Sequence, residues 1–244
     1  MVPKSVLRGA LVAVVVAGGM PASDAAARGN NSPSGDDLVR PSLVLDTSAV
    51  EPGKSFRAGV LLTIEPGWHI YWANPGDSGE PPRIEWRLPE GFSAESPDFP
   101  TPIRFDVPGG IVNYGYKDAT ALLVTITPPA AIEASTVELS ADVSWLVCTD
   151  EVCLPGSGKV QAVVPVGKAS ESQSATFARW MEQLPTPAGA DGSVASITPI
   201  VPSGDGRFGF SVRWANARCK PGDWFPNPPE GVEIRDVTVT TTAG

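Results

Sequence analysis

Two cysteines separated by four residues are the part of this sequence best equipped for chemistry. Cys148 and Cys153 lie in VSWLVCTDEVCLP, residues 143–155. The residues leading in, Val137, Leu139, Ala141, Val143 and Trp145, alternate with Glu138, Ser140, Asp142 and Ser144. A period of two is the pattern of a half-buried β-strand. After Cys153, Pro155, Gly156 and Gly158 are expected to break the chain, and Val160, Ala162 and Val164 to resume the alternation. The pair is therefore expected at the end of a β-hairpin, where two sulfurs approach closely and stay reachable from solvent.

Three chemistries compete for such a pair: a structural disulfide, thiol–disulfide exchange and metal binding. As a structural bridge it closes a very short loop, worth only about 2 kcal/mol in the chain-entropy picture. Exchange needs an accessible sulfur and a nearby resolving thiol, which this spacing supplies. Asp150 and Glu151 sit between the cysteines, and no Lys or Arg follows until Lys159. Negative neighbours raise a thiol pKa and lower its thiolate fraction. A redox-active pair of this kind is a relay that waits for a partner's thiolate, rather than a self-activated oxidant.

The other candidates are sparse. Zinc needs about four ligands, and the chain has three cysteines and one histidine, His69. Such a site would need the distant Cys219. A copper(I) site from two thiolates has no Met-rich tract to support it. There is no CxxCH for covalent haem, no serine-hydrolase elbow, no phosphate-binding glycine loop and no HExxH. No cofactor and no metal are expected. A lone His69 reads as a hydrogen-bonded structural residue. Cys219 reads as a free thiol, or as half of a bridge to sequence beyond Gly244. In Asn113-Tyr114-Gly115-Tyr116, after a Gly-Gly turn, two readings stand: an ordinary hairpin with cross-strand tyrosines, or a loop lying over the disulfide and restricting access to it.

The elements that must hold the pair are short. Pro (26) and Gly (25) make long helices a poor expectation for these 244 residues. Phe56, Ala58, Val60, Leu62 and Ile64 alternate with Arg57, Gly59, Leu61, Thr63 and Glu65. Trp68, Ile70 and Trp72 fall on one face of a strand, with His69 and Tyr71 on the other. Further strands are expected at 42–47, around Ile84 and Trp86, and at 103–107, 111–116, 121–127, 137–147 and 159–166. About nine strands with frequent turns predict an all-β fold, an immunoglobulin-like antiparallel sandwich, with an up-and-down barrel as the competing architecture.

The remainder divides as follows. Lys4, Arg8, the apolar run 10–17 and Ala25-Ala26-Ala27 predict a secretory signal peptide at 1–27, an uncleaved anchor being the alternative. Residues 28–40 form a polar tether, and 41–168 the sandwich. In 169–192, Ser170 can cap a short helix in which Phe177, Trp180, Met181 and Leu184 share a face, before a linker. Strands at 196–201, 208–214 and 232–241 suggest a partial second β domain over 193–244. The net charge is −9, and loss of 1–27 with Lys4, Arg8 and Asp24 makes it −10. Such acidity argues against nucleic acid. Export places the cysteines where disulfides persist.

Three stretches in order, GWHIYWANPGDSGEPPRIEWRLPEGF, VNYGYKDATALLVTITPP and SWLVCTDEVCLP, resemble the periplasmic N-terminal domain of the DsbD family of thiol:disulfide interchange proteins, its ScsB-like branch in particular. The resemblance spans residues 41–166. It implies a sandwich whose cysteine pair takes electrons from a polytopic membrane reductase through a thioredoxin-like donor domain and passes them to oxidised periplasmic clients. By motif, Cys148 and Cys153 match the redox pair, with Cys153 forming the mixed disulfide with the donor. Asn113, Tyr114 and Gly115 match a cap loop over the pair. His69 and Tyr71 match aromatic positions lining the site, His69 standing where Tyr is more usual. Two features depart from the family. The cysteine spacing is one residue shorter than in the best-known members, and no membrane or thioredoxin-like domain lies in these 244 residues, so the relay depends on partners. A sandwich binding module with a structural disulfide and a copper-handling periplasmic protein are the competing functions.

Overall fold

The alternating segments pair into two antiparallel sheets packed face to face. The computed structural model describes residues 33–169, 175–186, 196–198, 201–202, 208–209, 212–213, 225 and 227. The expected signal peptide, Ser170, Cys219 and the expected strand at 232–241 lie outside the described residues.

A four-residue helix α1 (Gly35–Leu38) leads into β1 (Val39–Leu45). Residues 35–40, expected to be tether, are therefore ordered elements, and Leu38 and Val39 are buried. The strands that follow are β2 (Phe56–Ile64), β3 (His69–Gly76), β4 (Arg83–Arg87), β5 (Ser93–Ala94), β6 (Ile103–Val107), β7 (Ile111–Tyr116), β8 (Ala119–Thr127), β9 (Thr136–Cys148) and β10 (Cys153–Pro165). One sheet has the order β1-β2-β8-β5. The other runs β10-β9-β3-β7-β6, with β4 pairing β9 beside β3. This is the expected immunoglobulin-like sandwich.

The core lies between the sheets. Val60, Leu62 and Leu122 meet Ile70, Trp72, Tyr116, Val143, Trp145 and Val147 in one cluster. Ala58, Val124 and Ile126 meet Val137, Leu139 and Val164 in a second. Fully burying side chains of this size stabilises by about 1.5–3 kcal/mol each. β8 reads as a nearly continuous apolar run because both its faces are covered. Its outer face carries a third cluster, in which Ala121 and Leu123 pack under Phe177 and Trp180.

Those two aromatics belong to α2 (Ala175–Met181), the helix expected from the 3.6 period. Met181 instead faces outward, where the Arg57 guanidinium donates to its sulfur at 2.8 Å. Beyond the helix the described strands are two-residue pairs, β11 (Ser196–Ile197) with β14 (Val212–Arg213) and β12 (Val201–Pro202) with β13 (Phe208–Gly209). Phe225 sets its ring edge-on to Trp72 and Tyr114.

One expectation fails at β10. Pro155, Gly156 and Gly158 do not interrupt the chain; the strand is continuous from Cys153, paired residue by residue with β9. The reason is its place at the sheet edge, where a proline without an N–H is tolerated. The glycines have a packing reason. A Cβ on Gly156 would collide with Trp145 Nε1 and the Gly35 backbone. Trp145 Nε1 donates to the Gly35 carbonyl at 3.1 Å, and Ser157 N–H to Asp36 Oδ1 at 2.6 Å. Helix α1 thus lies directly on this edge and holds it.

Candidate functional site

The β9–β10 hairpin sets the two sulfurs opposite each other. Cys148 and Cys153 are register partners flanking the turn 149–152. Thr149 builds that turn: its N–H donates to the Val152 carbonyl at 2.9 Å, and its Oγ1 accepts from Glu151 and Val152 N–H at 3.2 Å each. This is the local hydroxyl–backbone bonding that lets a threonine close a turn without glycine or proline. The cysteines form a disulfide, with their Cα atoms 4.1 Å apart.

The two halves of the bond have different surroundings. Cys148 is fully buried, whereas Cys153 is exposed, as are Asp150, Glu151 and Val152 beside it. Val147 and Trp145 point into the core, so Cys148 points to the outer face of the six-stranded sheet. On that face, β3 brings His69 directly opposite Cys148 and places Tyr71 one step along.

Tyr71 closes over the bond from the side of the sheet. Its hydroxyl donates to Cys148 Sγ at 3.1 Å and stands 3.8 Å from Cys153 Sγ. Burial pushes the Tyr71 phenol above its usual value, so the donor proton is retained at neutral pH. His69 meets Tyr71 edge-on at 5.4 Å and stacks on Phe105 at 4.5 Å. Lys117 Nζ lies 4.9 Å from the centre of the Phe105 ring.

Both faces of β3 are therefore covered: His69, Ile70, Tyr71 and Trp72 are all buried. The cover on the outer side comes from two places. One is Phe105 of β6. The other is the stretch after β3, which folds back as a strap. Asp77 N–H donates to the Val112 carbonyl at 2.9 Å, and Val112 N–H returns a bond to Asp77 Oδ2 at 2.8 Å. Ser78 N–H and Oγ–H both donate to Asn113 Oδ1 at 3.1 Å. Gly79, with φ 101°, then lies so close to the Tyr71 ring that a Cβ would overlap it.

Residues 36–165 match the family described as Thiol:disulfide interchange protein DsbD, N-terminal, which is more than half of the chain. The chain belongs to this DsbD N-terminal family. Among solved structures, the N-terminal periplasmic domain of ScsB from Proteus mirabilis aligns at 17% identity, covering 66% of this chain and 59% of that chain, with a TM-score of 0.46. The DsbD n-terminal domain of Neisseria meningitidis, in the reduced form, aligns at 14% identity, covering 52% of this chain and 88% of that chain, with a TM-score of 0.31. No curated protein matches the sequence.

Within this DsbD-type domain, the expected cap loop needs correction. Asn113, Tyr114, Gly115 and Tyr116 form strand β7, paired with β6 on one side and β3 on the other. Alternation turns Tyr114 and Tyr116 inward, away from the disulfide. Tyr116 donates to the Pro100 carbonyl at 2.7 Å, and Tyr114 packs on Trp72. Gly115 sits opposite Tyr71, where a Cβ would strike the Ile70 carbonyl. Asn113 does reach the outer face, and there it pins the strap. The covering groups are Tyr71, Phe105 and the strap residues Asp77, Ser78 and Gly79; of these, only Tyr71 was singled out from sequence.

Among the described residues, no group of three His, Cys, Asp or Glu side chains lies close enough to hold a metal ion. No helix among them is long and apolar enough to cross a membrane.

Proposed function

We propose that this chain is a periplasmic thiol–disulfide relay working through Cys148 and Cys153. A thioredoxin-like donor domain, itself charged by a polytopic membrane reductase, presents a thiolate to Cys153 Sγ. That sulfur forms the mixed disulfide, the Cys148–Cys153 bond breaks, and Cys148 leaves as a thiolate carrying the electron pair. The donor's second thiol then attacks its own mixed disulfide and releases Cys153. The donor leaves oxidised and the pair becomes a dithiol. An oxidised periplasmic client reverses the sequence and takes the two electrons.

The observation that carries this reading is the unequal burial of the two sulfurs. Cys153 is exposed while Cys148 is buried beneath Tyr71. Cys153 is the half of the bond that solvent reaches, and the leaving sulfur is the one that receives the shorter hydrogen bond. Membership of a thiol:disulfide interchange family supports the same chemistry.

The test is trapping. Cys148→Ser removes the resolving thiol and should accumulate a mixed disulfide through Cys153 with a thioredoxin-like domain, while Cys153→Ser should accumulate none. Failure of Cys148→Ser to trap any such domain would count against the relay. The structural-bridge reading is met by measuring the redox potential against glutathione and the Tm with and without reductant. A bond reduced only far below about −300 mV, with a large loss of Tm on reduction, belongs to a bridge and not to a relay.

A further inference from the structure

His69 is the one buried titratable side chain at the site to which the relay gives no task. It lies opposite Cys148 across the β3–β9 pair, a placement that puts the two Cβ atoms about 4.5–5.5 Å apart. Its ring is held on two sides, edge-on by Tyr71 and face-on by Phe105. The side chain is only 4% exposed. Its Nε2 is buried without a hydrogen-bond partner, and such a group costs about 1–3 kcal/mol. An unsatisfied polar atom on the side chain directly across the strand pair from a reactive cysteine has a use if that sulfur carries a proton in another state of the cycle.

We propose that His69 is the proton acceptor for Cys148, its Nε2 taking the thiol proton as the Cys148 sulfur attacks Cys153. In a mixed disulfide, Cys153 is bonded to a partner's sulfur and Cys148 is a thiol. The Cys148 S–H proton passes to Nε2. The freed electron pair forms the Cys148–Cys153 bond, and the partner's sulfur leaves as a thiolate with the pair of the broken bond. The imidazolium then gives its proton to that thiolate or to solvent. Reductive opening runs the same path backwards: Cys148 leaves as a thiolate, and His69, protonated from solvent, returns a proton to it.

The surroundings suit this role. Burial holds the His69 pKa below its ordinary value, the Lys117 charge pushes the same way, and Asp150 opposes. The ring is neutral at neutral pH and free to accept. The groups facing it are Cys148 from β9, Tyr71 from its own strand, Lys117 after β7 and Asp150 from the hairpin turn, while β6 supplies the apolar Phe105. A buried Cys148 flanked by Asp150 is a thiol that ionises reluctantly, so a local base has something to do. General-base assistance typically contributes about 10²–10⁴-fold.

The inference borrows its physiological direction from the relay, but its chemistry is tested without any partner protein. In a Cys219→Ser background, the reduced chain is loaded with oxidised glutathione. Ring closure with release of glutathione is then followed from about pH 5 to about pH 10, spanning the imidazole and thiol ranges. His69→Phe keeps the stack on Phe105 and cannot accept a proton; His69→Gln keeps a polar group and cannot be protonated. Both should close at least about tenfold slower at neutral pH, and the deficit should shrink progressively as the pH rises beyond the ordinary thiol range of about 8.5 and a growing share of Cys148 ionises unaided. A deficit equal at every pH, or none, overturns the proposal. If neither variant folds, the wild-type profile decides. An inflection in the lowered histidine range supports the assignment, and a rise confined to the thiol range overturns it. A chain that passes this test yet is reduced by no thioredoxin-like domain sinks the relay and leaves the role of His69 standing.

Discussion

The Tyr71 hydroxyl donates to the Cys148 sulfur at 3.1 Å, while its distance to Cys153 Sγ is 3.8 Å. The longer approach falls on the exposed sulfur and the shorter on the buried one. In the disulfide this is a weak bond to a neutral acceptor. When the bond opens at Cys153, negative charge appears on Cys148 and the same O–H becomes a charge-assisted donor, which is roughly twice as strong. Tyr71→Phe should therefore slow reduction by dithiothreitol about tenfold, the equivalent of about 1.4 kcal/mol, and leave the Tm of the disulfide form nearly unchanged. Stopped reduction with thiol counting checks it. An unchanged rate would remove Tyr71 from the chemistry.

The strap makes a second, steric prediction. Gly79 has φ 101° and its Cα hydrogen faces the Tyr71 ring. Gly79→Ala adds a methyl where the ring stands and demands a backbone conformation that alanine disfavours. The expected cost is about 1–3 kcal/mol. Because the ring or the strap must move, the disulfide should also become more accessible. A lowered Tm together with faster reduction by a bulky thiol is the expected pair of results.

The sandwich was legible because its strands alternate cleanly and end at Gly and Pro. The hairpin was legible because two cysteines flank a short turn. What covers the site was not. Phe105 sits in a five-residue strand whose other apolar members, Ile103 and Val107, share its face, and Ile103 is 46% exposed. Nothing local distinguishes the buried residue from the exposed one. Its burial comes from His69, which lies far off in sequence and meets it only across β7. The strap reads as a Gly- and Pro-rich turn, and its grip depends on Asn113, more than thirty residues further along. The burial of Asn113 had no visible signal, since a lone Asn in a strand is as often solvated. The resemblance placed a cap loop at Asn113, Tyr114 and Gly115, but these residues form a strand whose period of two turns Tyr114 and Tyr116 inward. The β10 prolines and glycines misled for the opposite reason: they break central strands and are accepted at an edge covered by α1.

That edge supports a third prediction. Gly156 meets both Trp145 Nε1 and the Gly35 backbone, and Trp145 donates to the Gly35 carbonyl. Gly156→Ala should lift α1 from β10, break that bond and expose Trp145, which is 4% exposed in the wild type. A loss of about 2–4 kcal/mol is expected, combining overpacking with the lost indole hydrogen bond and the exposure of buried apolar surface. Denaturant midpoints give the loss, and a red shift of tryptophan emission reports the exposure. The cysteines lie at the far end of the hairpin's first residue pairs, so their reduction rate should change far less than in Gly79→Ala.

The last prediction concerns acid. His69 is the only histidine, and burial, reinforced by Lys117, lowers its pKa in the folded disulfide form from the ordinary 6.5. Between 6.5 and the lower native value the unfolded chain binds the proton and the folded chain does not. Stability must then rise with pH across that window, being fully present above 6.5 and lost as the pH falls through the native value. Asp46, whose carboxyl is raised by burial, acts in the opposite sense and lower down, near the carboxylate range. Denaturation midpoints measured across mildly acidic pH should therefore fall for the wild type, and His69→Gln should flatten that fall while leaving the carboxylate region as it was. A wild type and a His69→Gln variant with parallel profiles would mean that the imidazole titrates alike in the folded and unfolded chains, and that burial does not hold its pKa down.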